Sequence, residues 1–150
     1  MPQSLSNTII HIVFSTKHRK KLIDSEIESR IFGCLGNICN ENKCQTIIVG
    51  GYQDHVHILC HLHRTISISQ LVKEIKINSS KWIKSVDEKY KNFYWQDGYG
   101  VFSVSQSGVS KVVDYIKNQK EHHNKKTFKA EYKAFLDKND VSYDDNYMWD

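Results

Sequence analysis

The stretch DHVHILCHLH at residues 54–63 constrains the fold most, because histidine and apolar residues alternate along it. Side chains in a β-strand point to opposite faces of the sheet in turn. One face therefore carries Val56, Ile58, Cys60 and Leu62, and the other carries His55, His57, Leu59, His61 and His63. The first set predicts a core-facing surface. We expect the histidines to lie on an open face of the same sheet.

Hydrophobic periodicity along the rest of the chain predicts the order of the elements. Apolar, β-branched runs predict strands at 8–15, 44–50, 55–62 and 101–105, with a hairpin loop at Gly50 and Gly51. Apolar spacings of three and four predict helices at about 25–42 and 67–85, a third from Val109 and a weaker fourth at 127–137. The order β-α-β-β-α-β predicts an α+β, ferredoxin-like (RRM-like) βαββαβ sandwich. An additional C-terminal helix carries Tyr115.

Composition indicates one globular domain, with 150 residues of which 39% are hydrophobic and 25% are charged. No apolar run approaches the roughly 18–20 residues of a membrane helix, and no secretory signal is visible, so we expect a cytoplasmic protein with no membrane segment. The four cysteines form no C-x-x-C pair, which favours free thiols.

Charge divides the chain into two unequal parts. Residues 137–150 hold five acids and one base, while the remainder holds 20 basic and 12 acidic residues. We therefore expect a catalytic or binding domain at 1–136 and an acidic C-terminal tail at 137–150. A basic body favours a polyanionic partner, although a solvated basic surface explains the charge equally well.

Two side-chain pairs suggest chemistry. His55 and His57 lie about 6–7 Å apart along one strand face and can converge on one ion. The same strand rise places His63 too far from His55 to share it, so His61 and His63 need a phosphate contact or no role. In the helix DYIKNQKEHHNKK, Tyr115 and Gln119 are four residues apart and project side by side. The alternatives are hydrogen-bonded or surface histidines, and a tyrosine that merely packs.

Four segments in order carry a family resemblance: HIVFSTKHRK, GYQDHVHILCHL, FYWQDGYGVFSVS and VVDYIKNQKEHH. The chain from about residue 8 to 128 resembles the single-tyrosine transposases of the IS200/IS605 type, which are HUH endonucleases. Residues 129–150 match nothing dependable in that family.

The resemblance implies a mechanism and a substrate. It implies that His55, His57 and Gln119 bind a divalent metal, Mg²⁺ or Mn²⁺, and that Tyr115 is the nucleophile. Such an enzyme cleaves and rejoins single-stranded DNA at hairpin-bearing element ends through a 5′-phosphotyrosine. The family also implies a homodimer in which the tyrosine helix meets the partner's metal site, and Gly108 is a point where the chain could swing.

Basic and aromatic clusters suggest contacts with single-stranded DNA. Candidate phosphate contacts are Lys17, Arg19, Lys20, Lys117 and Lys120. Candidate stacking platforms are Phe93, Tyr94, Trp95 and Tyr99, although core or dimer packing is the better interpretation for Phe93 and Trp95.

Two other functions compete with transposition. One is a domesticated relative that processes repetitive palindromic hairpins. The other is a non-catalytic RNA- or DNA-binding module built on the same sheet. Against the module, the predicted open face carries histidines in place of the aromatic residues of an RNP motif.

Overall fold

A computed structural model describes residues 2–123 and 125–149. It contains an antiparallel sheet of four strands in the order β2-β3-β1-β4. The strands are β1 (Ile9–Ser15), β2 (Thr46–Tyr52), β3 (His55–His61) and β4 (Gly100–Val104). The helices are α1 (Glu28–Glu41), α2 (Ile68–Val86), α3 (Val109–Lys117), α4 (Gln119–His123) and α5 (Phe128–Lys138). This order and topology confirm the predicted ferredoxin-like fold.

The main core lies between one face of the sheet and helices α1 and α2. Its centre is formed by Ile12, Ile58, Ile31, Leu35 and Ile75, all fully buried. Ile12 and Ile58 are direct partners across β1 and β3. The four cysteines are free thiols, as predicted.

The loop before β4 contributes to this core. Phe93 is 1% exposed and Trp95 is 7% exposed, and the Trp95 indole donates a hydrogen bond to the Ser79 hydroxyl at 2.9 Å. Phe14 meets the Trp95 ring edge to face with centroids 4.9 Å apart. The packing interpretation of Phe93 and Trp95 is therefore confirmed.

The second face of the sheet is covered, so the expectation of an open histidine face is wrong. Helices α3 to α5 pack on it, and both His55 and His57 are fully buried. The reason is that apolar residues lie on this face beside the histidines, and the helices shield them from water. Val13 packs under α5, while Leu59 packs under α3.

Three local features differ from the sequence prediction. Gly50 and Gly51 lie inside β2, and the hairpin turns at residues 53–54. β3 ends at His61, so His63 is not on the strand face. The helix that carries Tyr115 ends at Lys117, because Asn118 adopts φ −100° and ψ 24° before α4 begins.

Within residues 2–123 and 125–149, no helix has both the length and the apolar content to cross a bilayer.

Gly50 allows helix α3 to lie very close to strand β2. A Cβ atom at Gly50 would lie 2.6 Å from Ile116 Cγ2 and 2.9 Å from the Ile116 carbonyl oxygen. The backbone of α3 would therefore have to move away from the sheet to admit a larger residue. Ile116 is adjacent to Tyr115, so the absence of a side chain at Gly50 sets the position of that tyrosine.

We predict that Gly50→Ala lowers the free energy of unfolding by about 1–3 kcal/mol, because it overpacks this contact. Gly33→Ala is the matched control, since Gly33 lies in α1 and a Cβ atom there would meet no heavy atom within 4 Å beyond its own stretch of helix. The control should stabilise the protein by up to about 1 kcal/mol, because alanine is the better helix former. Chemical denaturation of both variants checks this, and equal stability of Gly50→Ala and wild type would contradict it.

Candidate metal and tyrosine site

Strand β3 directs two imidazoles toward one carboxylate. His57 Nε2 lies 3.0 Å from Glu131 Oε1, and His55 Nε2 lies 3.4 Å from the same oxygen. Ligand atoms of His55, His57 and Glu131 all lie within 4.8 Å of one another, and all three residues are buried. Two imidazole nitrogens and a carboxylate oxygen at this spacing form a donor set suited to a divalent metal.

Helix α4 brings Gln119 to the same point. Gln119 Oε1 lies 2.8 Å from His55 Nε2, and the Gln119 amide nitrogen donates to Glu131 Oε2 at 3.2 Å. The break at Asn118 begins a new helix at Gln119, which is 1% exposed. The structure therefore brings together the three residues predicted as ligands, and it adds Glu131 to them.

Sequence reasoning missed Glu131, although a signal was present. Phe128, Tyr132 and Phe135 recur at spacings of three and four and form the apolar stripe of α5. Glu131 lies within that stripe and is 2% exposed. An acid on the buried face of a helix needs a partner, and such positions mark candidate sites.

Tyr115 meets the same carboxylate. Its hydroxyl donates a short hydrogen bond to Glu131 Oε2, and its ring contacts the His57 ring with centroids 5.8 Å apart. Burial and the adjacent Glu131 charge raise the pKa of Tyr115 well above its ordinary value. All of these groups belong to one chain, and the expected contact of the tyrosine helix with a partner's metal site stays a prediction. Gly108 has ordinary helical-region angles, with φ −91° and ψ −6°.

A second layer of residues orients the two imidazoles. His55 Nδ1 lies 2.7 Å from Asp54 Oδ1, and His57 Nδ1 lies 2.8 Å from His11 Nε2. When Nδ1–H of His55 donates to Asp54, the lone pair of Nε2 points at the oxygens of Gln119 and Glu131. A cation between these atoms makes that arrangement favourable.

The pKa shifts leave Glu131 charged and His57 neutral. Burial alone would raise the pKa of Glu131, but hydrogen bonds from His123 and His57 outweigh it and hold the pKa well below its usual range. Burial lowers the pKa of His57. Burial also opposes the charge on His123, but the hydrogen bond to Glu131 raises its pKa. A carboxylate and a neutral imidazole are the protonation states that a metal requires.

The predicted DNA-binding residues lie in the segment after β1 and on helices α3 and α4. Lys17 and Arg19 belong to a short 3₁₀ helix after β1, and Lys20 follows it on the surface. Lys117 is exposed at the end of α3, and Lys120 Nζ lies 3.2 Å from a Glu28 oxygen.

Other lysines border the cavities beside Tyr115 and His123: Lys21, Lys111, Lys125, Lys126 and Lys138.

The remaining sequence candidates are Tyr94, Tyr99, His61 and His63. Tyr94 and Tyr99 are 51% and 36% exposed, and the Lys84 ammonium lies 3.9 Å from the centre of the Tyr94 ring. His63 Nδ1 lies 2.6 Å from the Thr65 hydroxyl. His61 is half-buried at the end of β3.

Comparison with known proteins identifies the class of this chain. Residues 4–119 match the family model described as "Transposase IS200 like". The chain is therefore a transposase by class, and the matched segment includes His55, His57, Tyr115 and Gln119 but not Glu131. More particularly, it belongs to the IS200-like transposase family.

Two relatives show how far the similarity extends. The transposase for insertion sequence element IS200 from Salmonella typhimurium is 28% identical over 120 residues, which cover 77% of this chain and 78% of that protein. The ISDra2 transposase TnpA from Deinococcus radiodurans is 22% identical over 114 residues, covering 73% of this chain and 81% of that protein.

Two solved structures share the fold. A crystal structure of a candidate transposase from Deinococcus radiodurans R1 has a TM-score of 0.62 at 22% identity, covering 79% of this chain and 98% of that one. The structure of a REP-associated tyrosine transposase bound to a REP hairpin has a TM-score of 0.60 at 14% identity, covering 82% and 72%. Both confirm the predicted fold class.

The buried His11 should make stability depend on pH. Burial lowers its pKa from 6.5 to about 3, so between these values the unfolded chain binds a proton that the folded chain does not. The free energy of unfolding should therefore fall as pH drops below about 6.5, by up to about 1.4 kcal/mol per pH unit from this residue.

Denaturation in chelator at pH 7, 6 and 5 checks this prediction. His11→Gln should lose less stability across the interval than wild type. His61→Gln, which removes an imidazole outside the site, is the control. Parallel pH profiles for His11→Gln and wild type would show that His11 is not responsible.

Proposed function

We propose that this transposase is metal-dependent and acts on single-stranded DNA, which it cleaves and rejoins at hairpin-bearing element ends through a 5′-phosphotyrosine at Tyr115. One observation carries the proposal. The Tyr115 hydroxyl, the Nε2 atoms of His55 and His57, and oxygens of Gln119 and Glu131 converge on one buried point.

The donor set fits a divalent metal held by His55, His57, Gln119 and Glu131. Asp54 and His11 would fix the orientation of the two imidazoles. Mg²⁺ and Mn²⁺ are the proposed ions, and imidazole ligands suit Mn²⁺ at least as well as Mg²⁺. When bound, the ion would polarise the scissile phosphate and stabilise the leaving oxygen.

The residues of this chain account for the transfer itself. The Tyr115 oxygen attacks phosphorus, so a Tyr115 O–P bond forms while the bond from phosphorus to the 3′ oxygen breaks. Glu131 Oε2 accepts the phenolic hydrogen bond and would hold the Tyr115 hydroxyl in place, and the phenolic proton is released to solvent as the oxygen attacks. The 3′ oxygen takes up a proton from solvent and leaves as a hydroxyl. Attack by a 3′-hydroxyl on the phosphotyrosine reverses these changes and rejoins DNA without ATP.

The DNA partner is supported by the family and by surface charge. A structural relative of similar fold is bound to a REP hairpin. We propose phosphate contacts at Lys17, Arg19, Lys20, Lys117 and Lys120.

The wider organisation of the protein is also part of the proposal. Residues 1–136 form the catalytic unit, which includes Glu131, and 137–150 form an acidic tail. A homodimer is proposed from the family resemblance, although a single chain already assembles the site.

A domesticated enzyme that processes palindromic hairpins is the second candidate. It is favoured by one observation, the structural similarity to a REP-associated transposase. Both candidates use the same tyrosine chemistry, so terminal hairpins flanking the coding region would distinguish an element from a domesticated form. A binding module without catalysis gives no reason for Tyr115 to contact a buried carboxylate.

We expect Tyr115→Phe to abolish the covalent adduct with a labelled single-stranded hairpin, because it removes the attacking oxygen, while hairpin binding persists. Tyr99→Phe is the matched control, since Tyr99 is partly exposed and lies outside the site. Denaturing gels measure the adduct, and peptide mapping locates it. An adduct on Tyr99 or Tyr132 would show that another tyrosine is the nucleophile.

We expect Glu131→Gln to weaken Mn²⁺ binding at least about tenfold, as loss of a charged oxygen ligand should. Calorimetric titration with Mn²⁺ measures this directly. Glu121→Gln is the control, because Glu121 is an exposed acid on α4. Adduct formation should also disappear in excess chelator. Unchanged Mn²⁺ affinity in Glu131→Gln would remove Glu131 from the ligand set, and full activity in chelator would refute metal dependence.

A further inference from the structure

Two cavities meet at Tyr115 and Glu131. The first has a volume of about 380 Å³ and also includes Val112, Ala134 and Phe135 in its wall. The second, about 390 Å³, lies toward Asn118 and His122. A strand whose phosphate lay at Tyr115 would therefore find space on both sides of the nucleophile.

The two cavities differ in the chemistry of their walls. The first combines an apolar wall with three lysines, Lys111, Lys126 and Lys138, all exposed. The wall of the second is polar or charged apart from the tyrosine ring. An apolar surface bordered by cations matches a nucleotide, whose flat base stacks while its phosphates attract the lysines.

Phe135 provides an aromatic surface in the first cavity. It is half-buried, and its ring is fixed from several sides. Its centroid lies 5.4 Å from Phe102, 5.1 Å from His11 and 5.5 Å from Tyr115. An aromatic ring held in place beside the nucleophile can stack on a base without losing side-chain freedom.

We propose that this cavity binds one nucleobase beside the scissile phosphate, with Phe135 as the stacking residue and Lys111 and Lys138 as contacts for the neighbouring phosphates. The proposal rests on the proposed function and deepens it. Phe135 would act as a positioning residue, because holding the adjacent base places the phosphate against the Tyr115 hydroxyl.

Two fluorescent probes of equal charge test the proposal: a single-stranded thymidine 12-mer and a 12-mer of abasic deoxyribose phosphates. Affinities are measured by anisotropy in chelator, so that no cleavage occurs. Phe135→Ala should weaken thymidine binding by about 5- to 100-fold and leave the abasic probe unchanged, since only the base stacks. Phe135→Tyr should retain affinity. Lys111→Gln should weaken both probes equally, because it contacts phosphate.

A crosslinking experiment on the unaltered protein keeps the test independent of folding effects in Phe135→Ala. A single-stranded 5-iodouracil 12-mer should crosslink on irradiation to the peptide that contains Phe135. Equal effects of Phe135→Ala on the two probes, or crosslinks confined to Tyr94 and Tyr99, would overturn the proposal. The covalent adduct at Tyr115 is measured separately, so failure of the cavity and failure of the transposase chemistry give different results.

Discussion

The buried carboxylate of Glu131 is the interaction on which the rest of the site depends. It accepts hydrogen bonds from Tyr115 and Gln119 and lies 3.0 Å from His57 Nε2 and 3.2 Å from His123 Nε2. A buried charge is costly, by several kcal/mol, unless it is paired and fully hydrogen-bonded. Here the partners come from β3, α3 and α4, while the carboxylate belongs to α5. One charge therefore ties three helices to the centre of the sheet.

Helix α5 also determines the environment in which the chemistry would occur. Phe128 stacks on His55 with centroids 4.6 Å apart, and Tyr132 packs beside it with a pKa raised to about 12 by burial. These side chains of α5 shield the imidazoles from water. Electrostatic interactions are stronger in a buried environment than at an exposed surface. Without α5, this face of the ferredoxin-like sheet would be exposed to solvent. With α5 in place, the face has a buried, charged centre.

Short-range patterns in the sequence predicted the sheet and two side-chain pairs of the candidate site, while the roles proposed for those residues came from the family resemblance. Alternation placed His55 and His57 on one face, and helical spacing placed Gln119 near Tyr115. The packing of helix α5 over the histidine face of the sheet could not be predicted in this way. It depends on contacts such as that of Glu131 with His57, which are 74 residues apart. The break at Asn118 has the same origin. Helical periodicity continues through it, but the hydrogen bonds of Gln119 with β3 and α5 favour a new start.

The sequence separation of the site residues also affects when the site first exists. His11 and His57 are 46 residues apart, and His55 and Gln119 are 64 residues apart, so each pairing forms only after distant segments have met. Glu131 follows every strand of the sheet along the chain. A ribosome makes the chain from its amino end, and a nascent chain that has not yet reached residue 131 lacks the carboxylate. Synthesis therefore completes the sheet segments before it supplies the carboxylate that contacts Tyr115 and His57, and a chain that stops before residue 131 cannot form this cluster.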